Sequence, residues 1–394
     1  MAGTPNPTAT TPPPRARDGI RTFWVRVTEG LELQQLWGQF VSEAKSSYTL
    51  YSREVDWDAI HRERSRLKRI LRSGWALFQA MLMKLSPARR VLLLIAIVLL
   101  AFQPEFVWTH HGETAIADFK WGGLGVLILF VLLSLELADR VTMKRDLEIA
   151  REIQQWLVPE RPPIVSGIDI AFATRPQNTV AGDYFDAFLR PASLTGTNLP
   201  PLLVVIADVA GKSVPAALLM ATFQASLRAL AATPAPLEEI VRGLDRYARA
   251  HSLEGRRFTT AFLAEVDPNS RQMTFINAGH NDPILRRADG KIERLSTGGP
   301  PFGVPLFTDQ EAAYPSGRVQ LNPGDLLFIF TDGVIEAVND DGEEFGEARL
   351  LPCIQCQPSE SSANVLSRVM SEVNTFVGYA RQHDDITCLV LRVS

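Results

Sequence analysis

Cysteine is scarce in this chain, with three residues in 394. The chain therefore lacks the short, cysteine-rich frame of secreted disulfide scaffolds, and a reducing compartment is expected. Tryptophan is absent after residue 156, and all seven tryptophans lie at or before that position. Charged residues make up only 21% and hydrophobic residues 46%, which excludes a mostly disordered chain. The length fits two or three domains, and the uneven tryptophan distribution indicates that two stretches of different character are joined.

The net charge of -4 is also unevenly divided. Residues 1–150 carry 19 Lys and Arg against 15 Asp and Glu, whereas residues 151–394 carry 21 against 29. Six of the basic side chains lie in residues 62–72, a run that fits either a solvated helix face or a basic helix on anionic lipid. We predict a disordered Pro- and Thr-rich tail over 1–19, followed by a basic helical region of unknown role over 20–88.

Two apolar runs follow, at residues 91–102 and 121–135. Each is shorter than the ~18–20 apolar residues of a secure spanning helix. Extension to about 90–108 and 119–137, with the flanking tryptophans at the interface, would suffice. Basic residues flank the outer ends of both runs but are not in excess between them. We therefore predict a transmembrane helical hairpin over 89–138 with both chain ends in the cytoplasm; a buried hairpin in a soluble sensor domain is the alternative.

A further helix is predicted over residues 139–160. Its apolar residues recur between charges, and Pro159, Pro162 and Pro163 end it. The short, loose heptad pattern favours a signalling linker that pairs with its copy in a homodimer.

The remaining sequence consists of short β-rich runs separated by turn residues. Three of them, at 202–208, 326–333 and 384–393, carry Asp at one end of an apolar strand. Helical stretches at 214–231 and 236–249 separate the first of these strands from a strand meander. Strands in meanders with grouped helices indicate an α+β layered sandwich.

Aspartate carboxylates recur at or near the ends of the predicted strands. Buried carboxylates repel one another unless they are paired or bind a cation. Hard divalent cations such as Mg2+ and Mn2+ accept oxygen ligands and neutralise that charge. The pattern therefore predicts a divalent metal site, with Asp183, Asp208, Asp332 and Asp384 as its expected ligands.

Seven motifs then occur in an order that resembles a known family. They are GDYFD (182–186), ADVAGKSVPAALLM (207–220), RFTTAF (257–262), NAGHNDPIL (277–285), TGGPPFGV (297–304), PGDLLFIFTDGVIEA (323–337) and HDDITCLVL (383–391). Over about residues 148–394 the chain resembles the PPM-type metal-dependent serine/threonine phosphatases of the bacterial SpoIIE/RsbU branch. The resemblance implies a phosphatase domain over 161–394, a β-sandwich of two antiparallel sheets flanked by helices, and two bound Mn2+ or Mg2+ ions.

The resemblance also implies roles for individual residues. Asp208 would bridge both ions, with the backbone carbonyl of Val209 as a further ligand. Asp183 would serve one ion directly or through water, while Asp332 and Asp384 would complete the other. Asp208, Asp332 and Asp384 are thus the expected catalytic residues. The Asp-Asn-x-Thr pattern of the wider family favours Asp384 over Asp385, but this register is left open.

The chain departs from the family pattern at two positions. Ala181 and Ser213 stand where the family often has glycine. Neither change removes a ligand, so activity is expected to survive, with altered turn geometry near Asp183 and at the start of the 214–231 helix.

The function implied is hydrolysis of a phosphomonoester by metal-activated water, without a side-chain nucleophile. The implied target is a phosphorylated STAS-type anti-anti-sigma regulator in a bacterial partner-switching pathway, and no nucleic-acid partner is expected. The prediction places the protein in the bacterial inner membrane, in contact with lipid. The alternative is a catalytically inactive phosphatase-fold scaffold that binds phosphoproteins, which should have lost ligand carboxylates.

Overall fold

The structure is a computed structural model that describes most of the chain from residue 66 onward. The described residues are 66–102, 106–110, 113–117, 121–191, 200–252, 257–305, 313–355 and 360–394. The predicted tail at 1–19 and residues 20–65 of the basic region lie outside them. The chain divides into two compact units, residues 1–139 and 140–394.

In the first unit, two helices flank a short β-hairpin. The elements are α1 (Arg66–Lys84), α2 (Pro87–Phe102), β1 (Phe106–His110), β2 (Glu113–Ala117) and the first part of α3 (Trp121–Leu157). An added Cβ at Gly125 of α3 would lie 2.9 Å from the Leu100 Cγ of α2, so glycine permits close helix packing. Near the other end of α2, Arg89 pairs with Asp139 at 2.6 Å. The two helices therefore run antiparallel, as a helical hairpin.

The structure differs from the predicted first span, which was expected to remain helical to residue 108. The α2 helix ends at Phe102, and Val107 and Trp108 belong to β1, which pairs antiparallel with β2. Pro104 accounts for the early end, because it has no N–H to donate and disfavours helix in the residue before it. In contrast, the second span and the linker form one continuous helix, α3, with no break near residue 139.

Apolar side chains cover the outside of this helical hairpin. Val91, Phe102, Phe130 and Leu133 are each more than half exposed. By length and composition, two helices in the described part of the chain could cross a membrane, α3 and α4 (Val214–Ala231). One face of α4, with Met220, Phe223 and Leu227, packs into a protein core, which accounts for much of its apolar composition. The apolar hairpin is consistent with a membrane region.

The second unit begins with the last part of α3 and contains eleven strands in its described residues. Their bounds are β3 (Ile168–Arg175), β4 (Tyr184–Leu189), β5 (Leu202–Val209), β6 (Thr259–Val266), β7 (Gln272–Ala278), β8 (Ile284–Arg286), β9 (Ile292–Arg294), β10 (Gly298–Gly299), β11 (Gly317–Gln320), β12 (Leu326–Phe330) and β13 (Ile386–Val393). The helices besides α4 are α5 (Leu237–Ala250), α6 (Gly346–Cys353) and α7 (Ser362–Val377), with a 3-10 turn at Asp332–Val334.

These strands form two sheets that pack face to face. One sheet has the order β10-β7-β6-β5-β4, with β11 also paired to β7, and the other has the order β3-β13-β12-β8-β9. The pairings are antiparallel except for β10 with β7. Helices α4 and α5 cover the first sheet, and α6 and α7 cover the second. The predicted α+β sandwich flanked by helices is confirmed, including the two helices between β5 and β6.

Burial on both faces explains the continuous apolar sequence of β5. Leu202, Val204 and Ile206 point into the core between the two sheets. Leu203 and Val205 point the other way, against α4 and α5. A strand inside a four-layer sandwich has no solvent-facing side, so its sequence does not alternate between apolar and polar residues.

Candidate metal centre

The four predicted ligand carboxylates come from the ends of strands in both sheets. Asp183 immediately precedes β4, and the pairing of Tyr184 with Ala207 brings it beside Asp208 of β5. In the other sheet, Asp332 follows β12 and Asp384 precedes β13, and these two strands are paired. Strand pairing therefore gathers two carboxylates at the end of each sheet.

Hydrogen bonds join the two sheets at this end of the sandwich, and Thr331 takes part in them. The Thr331 hydroxyl, which follows β12, donates to Asp183 Oδ2 at 2.9 Å. The Thr331 hydroxyl also accepts from the backbone N–H of Thr387 at 3.0 Å. This buried threonine ties the Asp183 loop to the second sheet and brings the carboxylates of the two sheets together.

The carboxylates perturb one another strongly. Burial, followed by the charges of Asp332 and Asp384, raises the pKa of Asp208 to about 7. Burial and the Asp208 charge also hold the pKa of Asp183 well above its ordinary value. For Asp332 the pKa is raised by burial and then by Asp384. Such shifts indicate negative charge that a cation would neutralise.

The donor set fits a hard divalent cation. The expected side chains offer carboxylate oxygens, which Mg2+ and Mn2+ prefer to sulfur. Among the residues that the structure describes, no three His, Cys, Asp or Glu side chains converge into a complete metal cage. The charges of these carboxylates raise one another's pKa, but their oxygen atoms do not converge on a single position. Which of them bind an ion stays a prediction.

Asp384 and Asp385, which the sequence could not separate, have different surroundings. Both oxygens of Asp385 accept backbone hydrogen bonds, from the Gln177 N–H and the Gly182 N–H, each at 2.6 Å. Asp385 is buried and thereby holds the loop that carries Asp183. Asp384 is more exposed, and its Oδ2 faces the Lys212 ammonium at 3.1 Å. This arrangement favours Asp384 as the ligand and Asp385 as the residue that positions the loop.

Close backbone approach explains two glycines around the site. An added Cβ at Gly182 would lie 3.3 Å from the carbonyl oxygen of Val209, the predicted backbone ligand. At Gly333 it would lie 2.0 Å from the carbonyl oxygen of Asp385, which a side chain could not occupy. The Gly-Asp and Asp-Gly pairs of the motifs thus place carboxylates where the backbone is crowded.

His280 lies in the turn after β7, where both its ring and its backbone make hydrogen bonds. Its Nδ1 is 3.0 Å from the Thr260 hydroxyl, and its backbone N–H donates to Asn277 Oδ1 at 2.7 Å. Burial lowers the pKa of His280 to about 4, so the ring is neutral at physiological pH. These contacts identify a structural residue that shapes the β7–β8 turn.

Two sets of contacts that the sequence does not predict connect helices α3 and α4 to the segment around Asp183. Gln154, in the last turn of α3, donates to the Ala181 carbonyl at 2.7 Å and accepts from the Ala181 N–H at 2.9 Å. The Arg228 guanidinium of α4 donates to both oxygens of Asp186, at 2.8 and 2.9 Å. Asp186 is the second aspartate of the GDYFD motif. The presence of two aspartates in one motif is the sequence feature that could have indicated a role for Asp186.

Ser213, the second departure from the family pattern, adopts a strained backbone. Its φ of 64° and ψ of -146° lie close to a region that is essentially restricted to glycine. Its side chain makes no capping hydrogen bond to α4. The altered turn expected at the start of α4 is therefore a serine in a glycine conformation.

Replacing Ser213 by Gly is expected to stabilise the protein by about 1 kcal/mol, because relief of strain exceeds the entropy that glycine adds to the unfolded chain. In a domain of this size, the midpoint of thermal unfolding should rise by roughly 2–4 °C. Calorimetry of the full chain would measure it. Ser213→Ala is the matched control, since alanine keeps the Cβ and should leave the midpoint unchanged. An equal rise in both variants would show that backbone strain at Ser213 is not the cause.

Comparisons with known proteins agree with the motifs and the fold. Residues 201–394 match the family described as Stage II sporulation protein E (SpoIIE). Protein IcfG of Synechocystis sp. is 26% identical over 286 residues, which cover 66% of this chain and 43% of that protein. Phosphoserine phosphatase RsbU of Bacillus subtilis is 26% identical over 253 residues, which cover 64% of this chain and 70% of RsbU. The chain thus spans less than half the length of IcfG.

A solved structure shows the same fold. The SiaA-PP2C domain of Pseudomonas aeruginosa superposes with a TM-score of 0.55 at 21% identity, and the match covers 65% of this chain and 98% of that domain. The four-layer sandwich, the ordered motifs and the SpoIIE match agree on one assignment. The C-terminal unit of this chain is a SpoIIE-type PP2C phosphatase domain, of the PPM class.

Proposed function

We propose that this protein is a membrane-anchored, metal-dependent protein serine/threonine phosphatase. The observation that carries the proposal is the meeting of carboxylates from both sheets at one end of the sandwich, where burial and mutual repulsion raise the pKa of Asp208 to about 7. Structural residues elsewhere are rarely arranged at such electrostatic cost, whereas functional sites often are.

The residues present would hold two Mn2+ or Mg2+ ions. Asp208 would bridge them, aided by the Val209 carbonyl, with Asp183 on one ion and Asp332 and Asp384 on the other. When bound, such ions lower the pKa of water and neutralise charge on the phosphoryl group during in-line attack. The protein chain positions these oxygens from rigid strand ends, and no side-chain nucleophile or histidine acid is needed.

The proposed substrate is a phosphoserine or phosphothreonine on a STAS-type anti-anti-sigma protein in a bacterial partner-switching pathway. Support comes from the SpoIIE match and from RsbU, which is named a phosphoserine phosphatase. Variants of the protein that retain binding but lose hydrolysis would make the phosphorylated target accumulate in cells, and mass spectrometry would identify it.

A membrane anchor is proposed from the apolar surface of the α2–α3 hairpin. Its exposed apolar side chains would face lipid, and Arg89, Glu136 and Asp139 would lie at the cytoplasmic boundary with both chain ends. Farther along α3, Ile149, Ile153 and Trp156 are exposed at helical spacing and would pair with a second copy. The continuous α3 helix would carry a signal to the Asp183 loop through Gln154 and Ala181.

The rival function is an inactive scaffold that binds phosphoproteins. Retention of all four expected carboxylates disfavours it, since a scaffold is under no chemical need to keep them. The two functions differ in an assay of the purified full chain with para-nitrophenyl phosphate. We expect hydrolysis that requires added Mn2+ and is abolished by a chelator. Hydrolysis that continues at the same rate in the presence of the chelator would refute the mechanism. Absence of hydrolysis with any phosphorylated substrate would favour the scaffold.

A further inference from the structure

A lysine ammonium lies among the carboxylates of the candidate metal centre. Lys212 Nζ is 3.1 Å from Asp384 Oδ2 and also donates to the carbonyl oxygen of His383. Burial raises the pKa of Asp332 and of Glu336, and the Lys212 charge opposes the rise in both. The chain therefore supplies a cation of its own to the carboxylates that are expected to bind metal.

Lys212 stands in a turn that leads directly into α4. Gly211 before it has a φ of 120°, and the strained Ser213 follows it with a φ of 64°. The Ser213 carbonyl accepts the first bond of the helix, from the Ala217 N–H at 3.1 Å. Lys212 therefore precedes the residue whose carbonyl oxygen accepts the first hydrogen bond of α4.

Lys212 and a metal ion cannot both use Asp384 without cost. An ammonium offers only donors, so it cannot share a coordination sphere as a ligand. Two cations held a few ångströms apart also repel each other, and the repulsion is larger in a partly buried site than in water. A divalent ion that takes the Asp384 oxygen would therefore displace the ammonium.

We propose that Lys212 is a tethered counter-cation that competes with the divalent metal for Asp384, so that metal binding releases the Lys212 ammonium. The proposal rests on the metal site of the proposed function and adds a residue that sets its affinity. The carboxylates are neutralised in part by Lys212 when no metal is bound.

Isothermal titration of the full chain with Mn2+ tests the competition. Lys212→Met should bind Mn2+ about fivefold more tightly than the unchanged protein, because the metal no longer breaks an ion pair whose strength is that of a largely exposed one. Lys291→Met is the matched control. Lys291 pairs with Glu293, also at 3.1 Å, in the β8–β9 hairpin, so its loss removes the same charge elsewhere and should leave the affinity unchanged.

A second measurement uses the protein without substitution. Acetic anhydride labels free lysine amines, and mass spectrometry of the full chain would follow Lys212 with and without Mn2+. Labelling of Lys212 should increase severalfold when Mn2+ is added, whereas labelling of Lys291 should not change. This measurement decides the question even if Lys212→Met fails to fold.

The outcomes separate this inference from the proposed function. Mn2+ binding with the same or weaker affinity in Lys212→Met, or unchanged labelling of Lys212, overturns the role of Lys212 alone. A weaker apparent affinity for the phosphorylated substrate with unchanged Mn2+ affinity would instead make Lys212 a phosphate contact and also overturn the proposal. If the unchanged protein takes up no Mn2+, the metal site itself is refuted and the inference falls with it.

Discussion

Replacing Asp208 by Asn is expected to reduce Mn2+-dependent hydrolysis of para-nitrophenyl phosphate by roughly a thousandfold. The proposed bridging carboxylate would lose its charge, and metal stabilisation of the transition state is worth several kcal/mol, which corresponds to that factor. Asp332→Asn should have a similar effect. Initial rates of the purified full chain at saturating Mn2+ would measure both. Asp289→Asn, in an exposed turn, is the matched control and should retain activity.

The same variant separates loss of the site from loss of the fold. Because the pKa of Asp208 is about 7 in the folded protein but about 4 in an unfolded chain, its stabilising contribution is present at low pH and is lost as the pH rises toward 7. In the metal-free protein at pH 8, Asp208→Asn should therefore raise the free energy of unfolding by about 1–4 kcal/mol. An Asp208→Asn protein that keeps its Mn2+-dependent activity would contradict the assignment.

Replacing Arg228 by Met is expected to destabilise the protein by about 3–5 kcal/mol, because it leaves a buried carboxylate without its charged partner. Asp186 is fully buried, and besides Arg228 it accepts hydrogen bonds from the Tyr184 hydroxyl at 2.5 Å and the Ala187 N–H at 2.8 Å. The Arg228 guanidinium also lies 3.8 Å from the centre of the Phe188 ring. Thermal or urea unfolding of the full chain would measure the loss.

A double substitution identifies the cause of that loss. Arg228→Met combined with Asp186→Asn removes the unpaired charge and should recover a large part of the stability. Arg242→Met, on the exposed side of α5, is the control and should change stability by less than about 0.5 kcal/mol. A loss in Arg228→Met that the double substitution does not reduce would show that packing on Phe188, and not the ion pair, is responsible.

The layered fold was accessible from the sequence because its signals are local. Apolar strand runs, turn residues and the two helical stretches after β5 each follow from a few neighbouring residues. The sequence predicts too long a first apolar helix, because apolar Val107 and Trp108 continue its composition beyond the helix-breaking Pro104. Their pairing in a β-hairpin depends on contacts with residues 113–117 that no local pattern showed.

The candidate site was only partly accessible. Aspartates at strand ends pointed to a cation, since buried like charges need one, and the motifs named the same residues. The different surroundings of adjacent Asp384 and Asp385 are visible only in three dimensions, because they depend on which carboxylate reaches the backbone N–H groups of Gln177 and Gly182. The roles of Lys212 and Arg228 likewise depend on partners 172 and 42 positions away in the chain.

Residue order alone was sufficient to predict an apolar hairpin, a helix that follows it and an α+β phosphatase domain with a cluster of aspartates. These conclusions rest on periodicity, composition and motif order, which the chain carries before it folds. Tertiary structure was required for the distribution of charge at that site. Strand pairing decides which carboxylates face one another, which are held by backbone N–H groups and which meet Lys212, because electrostatic energy depends on distance and burial and not on sequence separation.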